Sequence, residues 1–484
     1  MSLEKGGGEN DLERIRIQIE KSVNERVFEM KRFMKGHIYI RSIILVLLVS
    51  LLIATVAFAQ ASNPLLTNVY TADANPYVYN GRYYIVCGQD QANSTGFNMY
   101  AWRLMSSADM NSWTDHGVIA RPADYSWMPS NRAWASTIIY RNGKFYFYIA
   151  TDWAIGVLTS TSITGPYTDP LGKALIDANT PGHAARDIDP HVFIDDDGQA
   201  YLFWGGDGIC RYVKLNSDMI SLSGSVMDVP GLTGSGYTYL EAPFVIKTNG
   251  VYFLMYADSP WPSKIHYATS SSISGPWTHR GVIGSATGTG TNHSGAAYLN
   301  GQWWYAYHTE ELSNGNPYSR SVCVDKMTIL GSVILPITYT SFWTDGGASY
   351  CKLLNRATGK YLDNMGSTTN GADVCQWAGS SSYNQQWKLE DAGSGYFKFA
   401  CRTGGKYLDG MGRTATGANV AQYSSSSSYN QQWQIVDAGS GYVKIINRAT
   451  GLYLDSMGNT TDGSVIGQYS SSTSYNQQWM IVAK

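Results

Sequence analysis

Residues 239–257 read YLEAPFVIKTNGVYFLMYA. Asn249-Gly250 separates two apolar runs, and Asn-Gly supplies the positive φ angles that a tight hairpin turn requires. The pattern recurs as NPYVYNGRYYIV, STIIYRNGKFYFYIA, PHVFIDDDGQAYLFWG and SGAAYLNGQWWYAYHT. The turn glycines Gly81, Gly143, Gly198, Gly250 and Gly301 are 62, 55, 52 and 51 residues apart. A period near 50 with no helical pattern between copies predicts an all-β chain, built here as a β-propeller with one blade per copy. Five copies over residues 62–342 predict five blades. The segments SSADMNSWTDHGVI, STSITGPYTD and SSSISGPWTHRGVI read as outer strands of successive blades.

Glu241 now needs a reason, because it is a charge at the mouth of an apolar strand. Aligned on their turns, the five hairpins carry Asp73, Trp134, Asp189, Glu241 and His293 seven or eight residues upstream. Equivalent positions of successive blades surround the propeller axis, so these side chains are expected to converge on one face. Buried carboxylates repel one another and resist desolvation. Three together point to acid/base chemistry or a cation site; the plain alternative is that each caps a turn or pairs with a rim arginine. Glycoside hydrolysis needs such a set. One protonated carboxyl donates to the leaving oxygen and one carboxylate activates water, about 6.5–9.5 Å apart in inverting enzymes. A third can raise the acid's pKa.

Downstream the repeat changes. KYLDNMG, KYLDGMG and LYLDSMG place Asp363, Asp409 and Asp455 46 residues apart. YNQQW ends at Trp387, Trp433 and Trp479 with the same spacing. Three copies predict a threefold unit over residues 346–484. Each carries an aromatic 14 residues after its Asp and an Asn seven further on: Trp377 and Asn384, Tyr423 and Asn430, Tyr469 and Asn476. The intervening segment is short and not Ser/Pro-rich, so the two domains are expected to be neighbours rather than flexibly tethered.

The chain has 484 residues, 44% apolar and 15% charged, with 35 Tyr and 15 Trp. A net charge of -2 carries no footprint for nucleic acid. MKRFMKGHIYIR followed by an apolar run from Ile43 to Ala59 and small residues at Ala57, Ala59 and Ala61 reads as a signal peptide over residues 30–61. Residues 1–29 are then an upstream extension, and an uncleaved segment would be a membrane anchor. The protein is expected to be secreted or periplasmic. Its six cysteines show no CxxC spacing, which argues against zinc.

Two resemblances follow from these motifs. Residues 346–484 resemble the ricin-type β-trefoil, or carbohydrate-binding module family 13. That resemblance implies sugar binding by the three Asp–aromatic–Asn sets and a core role for the QxW tryptophans. YTADANPYVYNGRYYI, RAWASTIIYRNGKFYFY, DIDPHVFIDDDGQAYLFWG, YLEAPFVI and TNHSGAAYLNGQWWYAYH resemble glycoside hydrolase family 43. The resemblance implies an inverting mechanism with Asp73 as general base, Glu241 as general acid and Asp189 as modulator and orienter of the acid. One departure stands out: many members place Pro directly after the base, whereas here the order is Asp73-Ala74-Asn75-Pro76. Trp134 is implied in the wall of the sugar pocket. Arg320 is implied either in contact with the terminal sugar or as a fixed charge orienting the carboxylates. His293 is implied near an axial water or a calcium ion; no cofactor is otherwise required. The implied function is an exo-acting α-L-arabinofuranosidase on arabinoxylan or arabinan. The alternatives are a β-xylosidase or a bifunctional enzyme, more distantly an exo-β-1,3-galactanase, or a propeller without catalysis in a carbohydrate-binding protein. Plant polysaccharide, arabinoxylan, arabinan or xylan, is the expected partner; no protein partner is evident and a monomer is expected.

Overall fold

The computed structural model describes residues 63–128, 132–284, 290–340 and 350–483. The segments read from sequence as a signal peptide, residues 30–61, and an upstream extension, residues 1–29, lie outside the described residues.

Five antiparallel sheets follow one another in chain order. Blade one is Thr71–Tyr79, Arg82–Asp90, Met99–Ser107 and Thr114–Ala120; blade two is Ser136–Arg141, Lys144–Thr151 and Ala154–Ser160. Blade three is His191–Ile194, Ala200–Trp204, Arg211–Leu215 and Leu222–Asp228; blade four is Tyr239–Thr248, Val251–Asp258, Ile265–Ser270 and Thr278–Gly284. Blade five is Gly295–Leu299, Gln302–Thr309 and Ser321–Met327. Four inner hairpins turn as expected, Asn and Gly both left-handed at 80–81, 142–143, 249–250 and 300–301. Blade three differs: Asp195–Gln199 forms a longer loop closed by Asp195 N–H on the Gln199 carbonyl, 2.9 Å. The outer-strand echo falls in blades one, two and four rather than in successive blades, and in blade two it is a single bridge, Thr159 to Thr168.

A ring must be closed, because a blade edge left open exposes unpaired backbone. Here the segment before blade one runs along the edge of blade five. Leu65 N–H donates to the Val322 carbonyl at 2.9 Å and Thr71 N–H to the Arg320 carbonyl at 2.8 Å. Asn63, buried, uses its side chain as a peptide mimic. Its amide donates to the Val324 carbonyl (3.1 Å) and Thr340 Oγ1 (2.7 Å), and its carbonyl accepts from Val324 N–H (2.9 Å).

The C-terminal unit repeats three times around one core. Leu362, Leu408 and Leu454 pack with Trp387, Trp433 and Trp479, all fully buried. Each tryptophan donates its indole N–H to the carbonyl of the matching leucine, at 3.0–3.1 Å. The first strand, Tyr350–Asn355, pairs with the last, Trp479–Ala483, closing the barrel. The QxW tryptophans are thus core.

A two-stranded hairpin, Ile329–Leu330 with Val333–Ile334, joins the two bodies. Its side chains alternate in the manner of an extended strand. Val333 and Leu335 enter the core of the threefold unit. Ile334, Ile337 and Tyr339 enter the core of blades four and five. Ser332 Oγ bonds Asp437 Oδ1 at 3.3 Å across the same junction.

Candidate functional site

Two of the inner strands are bulged where an acid is presented, and the third acid sits just before its strand. In blade one the register slips between Ala72 and Asn75, and Asp73 adopts φ +58°. In blade four it slips on both sides of Glu241, and Ala242 takes φ +61°. Asp189 stands two residues before its strand at φ +58°. A left-handed non-glycine residue costs of order 1–3 kcal/mol and persists only where its surroundings hold it. Bulges re-aim side chains that a regular pleat would send into a neighbouring blade. With Trp134 and His293, the three acids line one cavity of about 510 Å³, within the range of small-ligand sites.

The hold on Asp73 is specific. Arg320, fully buried, donates from Nη1 to Asp73 Oδ1 at 2.8 Å. Its Nε and Nη2 form a fork on Asp90, both at 3.0 Å. The remaining N–H groups reach Thr291 Oγ1 and Met99 Sδ, each at 3.3 Å. All five donors of the guanidinium are therefore engaged within the protein, and none is left for a sugar hydroxyl. Of the two roles expected for Arg320, this geometry fits orientation of carboxylates. Asp73's backbone N–H, freed by the bulge, donates to His308 Nδ1 at 3.2 Å. His308 Nε2 is 2.8 Å from the Thr291 carbonyl. A carbonyl can only accept and an amide can only donate, so the imidazole is the neutral tautomer protonated on Nε2. Burial first, then Arg320, pushes the His308 pKa down to about 3.

Electrostatics separate the acids. Burial raises the Asp73 carboxyl, but Arg320, His293 and His308 outweigh it and the net shift is downward. Glu241, raised by burial and then by Asp73, reaches about 7. Asp189 is pushed well up by burial, then by Glu241 and Asp73, against the Ala242 N–H that donates to its Oδ2 at 2.9 Å. Burial and mutual repulsion thus push the Glu241–Asp189 pair toward holding a proton, while Arg320 keeps Asp73 on the ionised side. Ala242 is the left-handed residue beside Glu241, so Asp189 also fastens the turn that aims the acid.

Trp134 forms one wall, its indole donating to the Phe97 carbonyl at 3.1 Å, edge-on to Trp153 at 5.1 Å. Trp153 and Trp261 expose their rings at the rim, and Arg186 lies over Trp153 at 4.6 Å. His293 Nδ1 is 3.8 Å from Asp189 Oδ2, and burial lowers its pKa to about 4. Among the described residues no group of three His, Cys, Asp or Glu is set to hold a metal ion. Arg320 already supplies one cation among these carboxylates, on Asp73 and Asp90. Asp90, His308, Thr291 and Trp153 were not singled out from sequence. Asp90 and His308 merely end apolar strands, and their partners lie more than 200 residues away. Asp187, two residues from Asp189, is structural: it accepts from Trp204 Nε1 at 2.8 Å and Ala184 N–H at 2.9 Å.

In the threefold unit, Asp363, Asp409 and Asp455 are buried, each accepting the N–H two residues on at 2.6–2.7 Å. Trp377, Tyr423 and Tyr469 expose 39%, 41% and 41% of their surface. Asn384, Asn430 and Asn476 lie in short turns capped by Ser382, Ser428 and Ser474. All three sets therefore combine an exposed ring with a buried Asp and an Asn in a capped turn. All six cysteines are buried free thiols.

Comparison with known proteins adds to this geometry. A model of the glycosyl hydrolases family 43 matches residues 61–331, and one of ricin-type β-trefoil lectin-like domains matches 340–423 and 429–484. The chain is 34% identical over 342 residues to an arabinoxylan arabinofuranohydrolase of Bacillus subtilis (strain 168), covering 56% of this chain but 64% of that one. It therefore spans less than two thirds of that relative's length. It is 30% identical over 322 residues to a xylosidase/arabinosidase of Humicola insolens, covering 54% and 95%. A β-D-galactofuranosidase of Aspergillus niger is 30% identical over 321 residues, covering 61% and 91%. Among solved structures, a β-xylosidase/α-arabinofuranosidase from a compost metagenome matches at TM-score 0.50 and 28% identity, covering 57% and 97%.

Proposed function

Because the chain belongs to the glycosyl hydrolases family 43, we propose that it is an inverting, exo-acting α-L-arabinofuranosidase that trims plant arabinoxylan or arabinan while its trefoil holds the polymer. The observation that carries this reading is the split in proton state on one cavity: Asp73 ionised under Arg320, Glu241 protonated up to about pH 7. Glu241 gives its proton to the leaving glycosidic oxygen as the anomeric bond breaks. Asp73 takes a proton from the water that attacks from the opposite face. The sugar leaves with inverted configuration, Asp73 ends protonated and Glu241 ionised, and exchange with solvent resets both. Asp189 serves by orienting Glu241 and sharing its proton load. The furanosidase names of two relatives support a furanose in the pocket. A β-xylosidase is the second reading, supported by relatives named for both activities. Export through residues 30–61 would deliver the enzyme to its polymer.

The test is sugar release from wheat arabinoxylan, debranched arabinan and xylo-oligosaccharides, with Glu241→Gln as control and the anomer followed by NMR. Arabinose released as the inverted anomer, and lost in the variant, is the expected result. Xylose from chain ends selects the second reading. Release of nothing overturns both.

A further inference from the structure

The three sugar sites of the trefoil share a frame but not a rim, and their near-identity makes the differences readable. Each rim is completed by a residue from another repeat. In the first site, Asp462 reaches over from the third repeat. Its Oδ1 accepts the N–H of Ala378, next to the platform Trp377, at 2.8 Å, and pairs with Lys360 Nζ at 2.6 Å. In the second site the lysine is kept as Lys406 but the carboxylate is replaced by the amide of Asn370. Asn370 Oδ1 accepts from Ser424 N–H (2.9 Å) and Oγ (3.0 Å), next to the platform Tyr423. Lys406 Nζ then donates to Ser424 Oγ at 2.9 Å. In the third site both charges are gone: the positions are Leu452 and Thr416, and Thr416 Oγ1 meets Ser470 Oγ at 2.9 Å.

At these two positions the first rim thus holds a neutralised ion pair, the second an uncancelled cation and the third neither; the lysine that the second and third repeats share, Lys398 and Lys444, bonds the loop carbonyl of Ser426 or Ser472 and does not distinguish these sites. Among the described residues no carboxylate pairs with Lys406. The second repeat also carries a cation that the other two lack. Arg413 occupies the position held by Ser367 and Asn459 in the other repeats, and its Nη1 donates to the Asn419 carbonyl at 3.0 Å. Its approach to Asp373 is at 4.0 Å, the limit of an ion pair, and both are exposed. An amide can satisfy the same backbone N–H as a carboxylate but cannot cancel an ammonium charge. An ammonium beside a stacking ring selects a ligand that places a carboxylate there.

We propose that the second trefoil site, built from Tyr423, Asn430 and the Lys406–Asn370 rim, binds acidic sugars, uronates, in preference to neutral sugars of the same shape. This rests on the reading of the trefoil as a sugar-binding domain. The three sites then differ in what they hold, two gripping neutral chain and one finding acidic substituents.

The test is NMR titration of the full chain with methyl β-D-glucuronide and methyl β-D-glucoside, which differ by the carboxylate. The wild type is expected to prefer the glucuronide about three- to tenfold at low salt, with resonances near Tyr423 shifting, and the preference should shrink as salt screens the exposed charge. Lys406→Leu, which installs the third repeat's residue, should abolish the preference and keep the glucoside. Asn370→Asp, which installs the first repeat's carboxylate, should do the same. The reciprocal Asp462→Asn keeps an acceptor for Ala378 N–H but unpairs Lys360, and should create a second uronate site near Trp377. Equal binding of both sugars, or a preference that survives Lys406→Leu, overturns the proposal alone. Binding of neither overturns the sugar-binding reading with it, while leaving hydrolysis by the propeller untouched.

Discussion

Glu241→Gln removes a titratable proton while nearly preserving shape, so its consequences can be worked in both stability and rate. In the folded protein Glu241 stays protonated to about pH 7, against an ordinary value of 4.5. Between those values the unfolded chain has released a proton that the folded one retains. Stability therefore falls as pH rises through this window. At 1.36 kcal/mol per pH unit the penalty amounts to about 3 kcal/mol by pH 8, and it is absent below about pH 4.5. Glutamine has no proton to lose. The variant should gain about 3 kcal/mol on the wild type between pH 4.5 and pH 8, read by urea unfolding followed through tryptophan fluorescence at each pH. Its kcat on natural oligosaccharides should fall about 10²–10⁴-fold, the usual contribution of a general acid. Aryl glycosides whose leaving group needs no proton should lose far less. Parallel stability curves for the two proteins would refute the claim that Glu241 is held protonated. Near-full activity on natural glycosides would refute its role.

The same proton states set a bell in kcat/KM, with activity falling above about pH 7 as Glu241 ionises and below the usual carboxylate range as Asp73 protonates; a falling limb at much higher pH would contradict it. Arg320→Met strands the fully buried Asp90 and should cost about 3–5 kcal/mol in chemical denaturation. In any folded fraction the acid limb should also move to higher pH, because Asp73 loses the cation that holds it down. His308→Asn keeps an acceptor for Asp73 N–H and should retain most activity. His308→Leu should lower kcat about 10²-fold with KM little changed, the scale of a small misplacement of a reacting group; equal rates for the two would show that this bond positions nothing. Asn63→Ala removes three hydrogen bonds at the ring seam, two of them buried, and should destabilise by about 1–3 kcal/mol in urea while leaving kcat unchanged.

The parts legible in the sequence are those written in local or periodic terms. Asn80-Gly81 and Asn249-Gly250 announce hairpins because the turn itself demands left-handed residues. The 46-residue spacing of Asp409 and Trp433 from their repeats announces threefold symmetry. Asp73, Asp189 and Glu241 were reachable because blade register carries a position around the axis. What stayed hidden depends on contacts across the seam. Arg320 reaches Asp90 over 230 residues and Asp73 over 247. Nothing local to NPYSRSV distinguishes a buried fork from a sugar contact. The left-handed turn at Asp73 is equally invisible, since the preceding Ala72 and following Ala74 suit an ordinary strand. The blade-three loop misled because Asp197-Gly198 looks like a tight turn, although Asp195–Gln199 closes around it.

Under the proposed function, the double-faced hairpin between the domains bears on how a polymer would be attacked. With Val333 and Leu335 sunk in one core and Ile334 and Ile337 in the other, the trefoil cannot swing as it would on a string. A tether would spread its captured chain through a cloud of positions, with the pocket sampling all of them weakly. A fixed mount instead works as a gauge: chain gripped at a trefoil site offers the cavity only those residues that lie one set stride away. Under the proposed function, polymers whose substituents recur at that stride should be trimmed repeatedly while held, and those with another spacing should be released between cuts.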